Sequence, residues 1–183
     1  MIYVALLRGV NVGGKGKVEM AKLKTTFEKL GFTRVKTFIN SGNIVFEAAS
    51  NDTPELTKSI EAAIQRAFAL PVPVLLRNLE QVHTLVEQVP DTWVTDGNMR
   101  CEIIFLWPEA DKATAGDDLG SNADIEDLKY VPGSLVWRVD RVHVTRSRLP
   151  RRLIGGPLYA FMTMRNINTV RKLHQLMLDA AQH

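Results

Sequence analysis

The chain has 183 residues, 45% of them hydrophobic and 23% charged, with a formal net charge of +3. That balance is ordinary for a globular protein that buries a core, and no apolar run approaches the roughly 20 residues needed to cross a bilayer. With Cys101 as the one cysteine, an internal disulfide and a cysteine-based metal cluster are excluded.

The charge is unevenly spread. Residues 1–36 carry eight Lys/Arg against two acids, residues 134–183 carry nine against two, and the middle is acidic. If the basic ends meet in space, they make an anion-attracting face; if not, they are solvated helix surfaces. Met1 leads straight into a strand-like run, so no signal peptide is expected, and a cytoplasmic protein with no membrane association is the plain reading.

Ile2 to Leu7 is apolar at every position, which predicts a strand covered on both faces and central in its sheet. Next comes a glycine-rich basic loop, Arg8-Gly9-Val10-Asn11-Val12-Gly13-Gly14-Lys15-Gly16-Lys17. Met20, Leu23, Phe27 and Leu30 then recur at helical spacing, closed by Gly31. Val35 to Ile39 and Ile44 to Phe46 read as a hairpin turning at Asn40-Ser41-Gly42-Asn43. Thr53-Pro54 opens a second helix as cap and first position, and Pro71 ends it. Val72 to Arg77 is a fourth strand, with Pro73 arguing for a sheet edge. Strand, helix, hairpin, helix, strand is the split βαβ unit, or ferredoxin-like plait.

The second half reads as a repeat. Arg100 to Trp107 is an apolar strand, and Glu109 to Leu128 is an acidic segment, part helix and part loop. Ser134 to Val139 and Arg141 to Thr145 are expected as a hairpin turning at Asp140-Arg141. A short basic helix from about Ser147 to Leu153 leads through Gly155-Gly156-Pro157 to a last strand, Tyr159 to Met164, and a terminal helix. Arg77-Asn78-Leu79-x-x-Val82-x-x-Leu85 recurs as Arg165-Asn166-Ile167-x-x-Val170-x-x-Leu173. In both copies Asn stands where a helix should begin, as an N-cap. The expected fold class is α+β, with two ferredoxin-like (βαββαβ, α/β-plait) subdomains over 1–95 and 96–183, each followed by an extra helix. Their junction falls between Pro90 and Met99.

Gly9 to Lys15 satisfies G-x-x-x-x-G-K, the start of a phosphate-binding P-loop. The eighth position is Gly16, so the hydroxyl that would ligate Mg²⁺ is missing, and the helical stripe starts only at Met20. As an NTPase signature the match fails. It leaves a non-hydrolytic anion cradle of backbone N–H groups, or a loop that uses glycine because its backbone needs positive φ.

Tyr3 to Gly14, Leu30-Gly31-Phe32, Ser41-Gly42-Asn43-Ile44-Val45-Phe46 and Thr163-Met164-Arg165-Asn166-Ile167-Asn168-Thr169-Val170 together resemble the bacterial domain-of-unknown-function family 1697. The resemblance implies two α/β-plait subdomains and no established activity, substrate or cofactor. It also sets Lys17, not Lys15, at the family's loop lysine. The polar residues in the matching motifs are Arg8, Asn11, Lys17, Ser41, Asn43, Arg165 and Asn166, and these are the candidate ligand-binding residues. The alternative is that Asn11 and Asn43 satisfy loop backbone while Arg8 pairs with a carboxylate.

Other candidates carry less. The four histidines have no spacing that pairs them with an acid, and Cys101 reads as a small buried hydrophobe. Asp117, Asp118, Asp124, Glu126 and Asp127 lack the order of a calcium loop and read as a solvated acidic loop. Neither a metal site nor a cofactor motif is expected. Arg146, Arg148, Arg151 and Arg152, with Tyr159 and Phe161, suit nucleic-acid phosphates, although the aromatic pattern of an RNA-reading strand is absent from residues 42–46. The leading expectation is a small anionic or phosphate-bearing ligand at the loop 8–17. Nucleic-acid binding through the basic ends and a non-catalytic assembly role are the alternatives. No nucleophile and base can be paired, so no reaction is assigned, and the sequence fixes no oligomeric state.

Overall fold

The computed structural model describes residues 1–13 and 16–182. In chain order the elements are β1 (Ile2–Leu7), α1 (Met20–Lys29), β2 (Thr33–Phe38), β3 (Asn43–Glu47), α2 (Thr53–Phe68), β4 (Val74–Asn78), α3 (Leu79–Glu87), β5 (Met99–Leu106), β6 (Glu126–Val131), β7 (Ser134–Asp140), α4 (Leu149–Gly155), β8 (Met162–Asn166) and α5 (Ile167–Ala181). The strands form two four-stranded antiparallel sheets, ordered β2-β3-β1-β4 and β6-β7-β5-β8. The chain divides into two compact units. Unit 1 is Met1–Val82 with the chain from Leu173 onward, and unit 2 is His83–Lys172. Among the described residues, no helix is long and apolar enough to cross a membrane.

In unit 1 the all-apolar run does become a central strand, and every residue of β1 is buried. Tyr3, Ala5 and Leu7 share one face by strand periodicity. They pack with Leu23 and Phe27 of α1 and Ile60 and Ile64 of α2. Phe46 carries the aromatic contacts of this core, stacking on Tyr3 at 5.7 Å and meeting Phe27 edge-on at 5.3 Å. β4 lies at the sheet edge, but it begins at Val74, after Pro73, so the proline stands outside the ladder. The cap of α2 falls one residue earlier than expected: the carboxylate of Asp52 accepts from the Glu55 N–H at 3.1 Å, and Thr53 is already helical. Asp is as good an N-cap as Thr, and Pro54 tolerates the second helical position because its missing N–H would have no partner there.

Unit 2 is built around Trp137, fully buried among Ile104, Leu106, Leu135 and Val139, with Leu149 and Leu153 of α4 against them. Three sequence expectations fail here. The hairpin is β6–β7, turning at Pro132-Gly133, and residues 141–143 form a short 3₁₀ turn in place of a strand. Gly133 supplies the positive φ of 82° that the turn needs. The final strand begins at Met162, preceded by a 3₁₀ turn over Pro157–Phe161. Between β5 and β6 there is no α-helix, only two 3₁₀ turns at 108–110 and 117–119.

Both helix starts foreseen at Asn are capped by it. Asn78 accepts from the Gln81 N–H and Asn166 from the Thr169 N–H, each at 2.9 Å. The central strands also end alike. Leu7 N–H donates to Gly42 at 2.8 Å, and Leu106 N–H to Gly133 at 2.9 Å. The next residue binds the entry to the edge strand, Arg8 to Pro73 at 3.0 Å and Trp107 to Phe161 at 2.9 Å.

Candidate functional site

The loop leaving β1 lies at the end of the first sheet, between the β2–β3 turn and the start of β4. The antiparallel register places Leu6 opposite Asn43, so the turn at Ser41-Gly42 stands beside Arg8. Gly42 is irreplaceable on two counts. Its φ is +73°, and a Cβ there would sit 2.6 Å from Val10 Cγ2 and 2.7 Å from Leu7 Cβ. The turn and the loop are thus in contact through a missing side chain.

Asn11 closes the loop on itself. Its Nδ2 donates to the Val18 carbonyl at 2.9 Å and to the Asn40 carbonyl at 2.7 Å, while its Oδ1 accepts from the Val18 N–H at 2.9 Å. Its own N–H donates to Gly16 at 3.0 Å. The residue holds φ of 54°, a left-handed conformation that Asn tolerates better than most. Gly16, at φ of 64°, also needs the absence of a side chain, because a Cβ would meet the Gly9 carbonyl at 2.8 Å. The expectations placed on Gly14 and Lys15 lie outside the described residues.

Asn43 is fully buried and donates to the Phe38 carbonyl at 3.1 Å and to Ser41 Oγ at 2.9 Å, which fixes the turn. Five candidates therefore gather in unit 1. Asn11 and Asn43 shape the backbone, Arg8 and Ser41 are half-buried, and Lys17 is exposed. Arg165 and Asn166 belong to unit 2, at the β8–α5 junction. Arg165 is buried, donates to Thr163 Oγ1 at 3.0 Å and to the Met164 carbonyl at 2.7 Å, and burial pulls its guanidinium down to about 10. Arg77 donates in the same way to the carbonyl before it, Leu76, at 3.0 Å.

The family model described as protein of unknown function, DUF1697, matches residues 1–137. The chain belongs to this family. DUF1697 membership covers the loop and the turn but brings no activity with it. No curated protein matches the chain. Among solved structures, the chain is similar to a conserved bacterial protein, SP0830 from Streptococcus pneumoniae, at 27% identity and a TM-score of 0.81. The match covers 96% of this chain and 98% of that one. That likeness spans both four-stranded sheets.

Unit 2 of this DUF1697 chain carries features that the sequence did not reveal. A cavity of about 670 Å³ opens between the 109–119 segment and the 151–161 segment. Its residues are too far apart in sequence for any spacing to announce it; the only local hint was Arg151-Arg152 just before Gly155-Gly156-Pro157. Glu126, read from sequence as part of a solvated acidic loop, is buried instead. Its carboxylate accepts from Trp137 Nε1 at 2.7 Å, Ser147 Oγ at 2.5 Å and the Asn122 N–H at 2.9 Å. Among the described residues, no group of three or more His, Cys, Asp or Glu side chains is placed to hold a metal ion.

Proposed function

We propose that the protein binds a small anionic or phosphate-bearing ligand at the loop from Arg8 to Lys17. The observation that carries this reading is the hold of Asn11 on both ends of its loop, through Val18, Gly16 and Asn40. A loop tied in this way has less ordering cost to bear on binding than a loose one. Glycines at positive φ let successive N–H groups turn toward one point, where an anion is the natural occupant. Arg8 and Lys17 supply the charge and Ser41 a hydroxyl, while Asn11 and Asn43 keep the geometry. Arg165 and Asn166 serve the strand-to-helix junction of unit 2 in this reading.

The test is thermal unfolding with inorganic phosphate, pyrophosphate, nucleotides and sugar phosphates. A saturable rise in melting temperature, lost in Arg8→Ala and Lys17→Ala, is expected. No shift with any of these anions would remove the reading.

Nucleic acid is the second candidate partner. It is favoured by the exposure of Arg146 and Arg148 just before α4, of Arg151 and Arg152 on it, and of Tyr159 and Phe161 on the turn packed against it. Such binding must weaken steeply with salt, so no gel shift at low salt counts against it. As to architecture, the first sheet with its helices reads as a ferredoxin-like plait, the second as a plait whose first helix is replaced by two 3₁₀ turns, and the two as products of duplication joined between Pro90 and Met99. The matching sheet orders, Asn caps and strand-end hydrogen bonds support this. A cytoplasmic location suits a protein with one cysteine, fully buried.

A further inference from the structure

The cavity of unit 2 is lined by apolar and cationic side chains, and each of its two segments supplies both kinds. Its apolar lining is made by Ala115, Leu119, Leu158 and Phe161. Leu119 is nearly buried and belongs to the Trp137 core, and the Phe161 carbonyl is pinned by the Trp107 N–H. Lys112, Arg151 and Arg152 share the lining with them.

These cations are held in place by the backbone that carries them. Asp111 accepts from Tyr130 Oη at 2.9 Å and from the Gly133 N–H at 2.8 Å, which fastens the turn bearing Lys112 to the β6–β7 hairpin. α4 is rooted by Leu149 and Leu153, so Arg151 and Arg152 project from a fixed helix. Arg152 donates to the Asp118 carbonyl at 3.3 Å and crowds Gly120, whose missing side chain leaves room for the guanidinium. Among the described residues, no ion pair engages any of the three cations. The lining also holds Glu109 and Asp118, leaving one positive charge in excess.

A volume of about 670 Å³ lies within the roughly 300–1,000 Å³ of small-molecule sites. Apolar side chains beside cations that make no ion pair suit an occupant with both an apolar body and an anionic head. We infer that this cavity binds a small amphipathic anion. The apolar body rests on Leu119, Leu158 and Phe161, and a carboxylate or phosphate head meets Arg151, Arg152 and Lys112. The site is separate from the Arg8–Lys17 loop and does not depend on it.

The experiment is a titration of the full chain, labelled with ¹⁵N, with decanoate and with 1-naphthyl phosphate, followed by backbone amide shifts. Saturable shifts confined to residues 109–119 and 151–161 are expected. Replacing Arg151 and Arg152 together by Ala should weaken binding by about tenfold or more, since each charge-assisted hydrogen bond contributes on that scale. Ala115→Trp, which fills the cavity from a half-buried position, should abolish it while the remaining amide spectrum stays folded. Arg8→Ala should leave both titrations unchanged. The inference is overturned by three outcomes: no saturable shift up to millimolar ligand, shifts that survive Ala115→Trp, or shifts at these residues with a single-stranded oligonucleotide but with neither small anion. Should decanoate alone bind, the head group is a carboxylate; should naphthyl phosphate alone bind, it is a phosphate. Either result supports the site.

Discussion

Asn11 reaches across from the first loop to the β2–β3 turn and donates to the Asn40 carbonyl at 2.7 Å. The same amide group binds Val18 in both directions. One side chain therefore fixes where the loop begins, where it ends and what it leans on. Asn11→Ala removes all three hydrogen bonds and leaves alanine at φ of 54°. A loss of about 2–4 kcal/mol in urea unfolding is expected, from hydrogen bonds of about 1 kcal/mol each and a left-handed alanine costing roughly 1 kcal/mol. Asn11→Gly relieves only the backbone part. A smaller loss for Gly than for Ala, with both well above zero, is the predicted order, and equal values for wild type and Asn11→Gly would refute it.

Gly42 carries the other half of that contact. An added methyl group would lie 2.6 Å from Val10 Cγ2 and 2.7 Å from Leu7 Cβ, both on buried residues with little room to retreat. Gly42→Ala is expected to cost about 1–3 kcal/mol in overpacking, with roughly 1 kcal/mol more from the φ of +73°. Thermal unfolding reads this directly. A melting temperature within error of wild type would mean that turn and loop separate without penalty.

How far such residues are legible in sequence depends on what their signal encodes. The unbroken apolar run of β1 has one physical solution, a strand buried on both faces, and the structure adopts it. Pro73 lacks an N–H and so marked an edge; Asn78 and Asn166 precede helical stripes and so marked caps. The β6–β7 hairpin is hidden in sequence because Glu126-Asp127 reads as solvated acid, which masks the Pro132-Gly133 turn signal that follows. Glu126 is buried because Trp137 and Ser147, from other elements, bring it donors, and no local pattern announces that. Asn11 shows a different limit. An asparagine that binds a ligand and one that holds a loop both sit among glycines in a turn, so residue type alone could not separate them. The unit 2 cavity lies further out of reach, since its two walls meet only after folding.

The Glu126 cluster makes unit 2 sensitive to a single change. Glu126→Ala leaves Trp137 Nε1 and Ser147 Oγ as donors without their acceptor in a buried setting. Each such loss costs about 1–3 kcal/mol, so destabilisation on the order of 3 kcal/mol or more is expected. Trp137→Phe, which removes a donor together with its need, should be milder per hydrogen bond lost. Equilibrium unfolding of both variants, followed by tryptophan fluorescence for the first and circular dichroism for both, checks the order. Glu126→Ala behaving like a surface substitution would contradict the burial.

Cys101 provides a probe of the same unit. It is fully buried in β5, and burial pushes its thiol up to about 12 from an ordinary 9.0. The thiolate is the reactive species, so Ellman's reagent should label the native protein at pH 8 only as fast as unit 2 opens. In urea the thiol should react at the rate of a free cysteine. The sign of the pH effect follows. The folded state keeps its proton to about pH 12, while the unfolded chain loses it near 9.0. The contribution of this thiol to stability is therefore complete below pH 9 and is lost progressively as pH rises toward 12. Cys101→Ala should lose that alkaline slope, at the expense of a small cavity. Rapid stoichiometric labelling of the native protein at pH 8 would show instead that β5 opens readily to solvent.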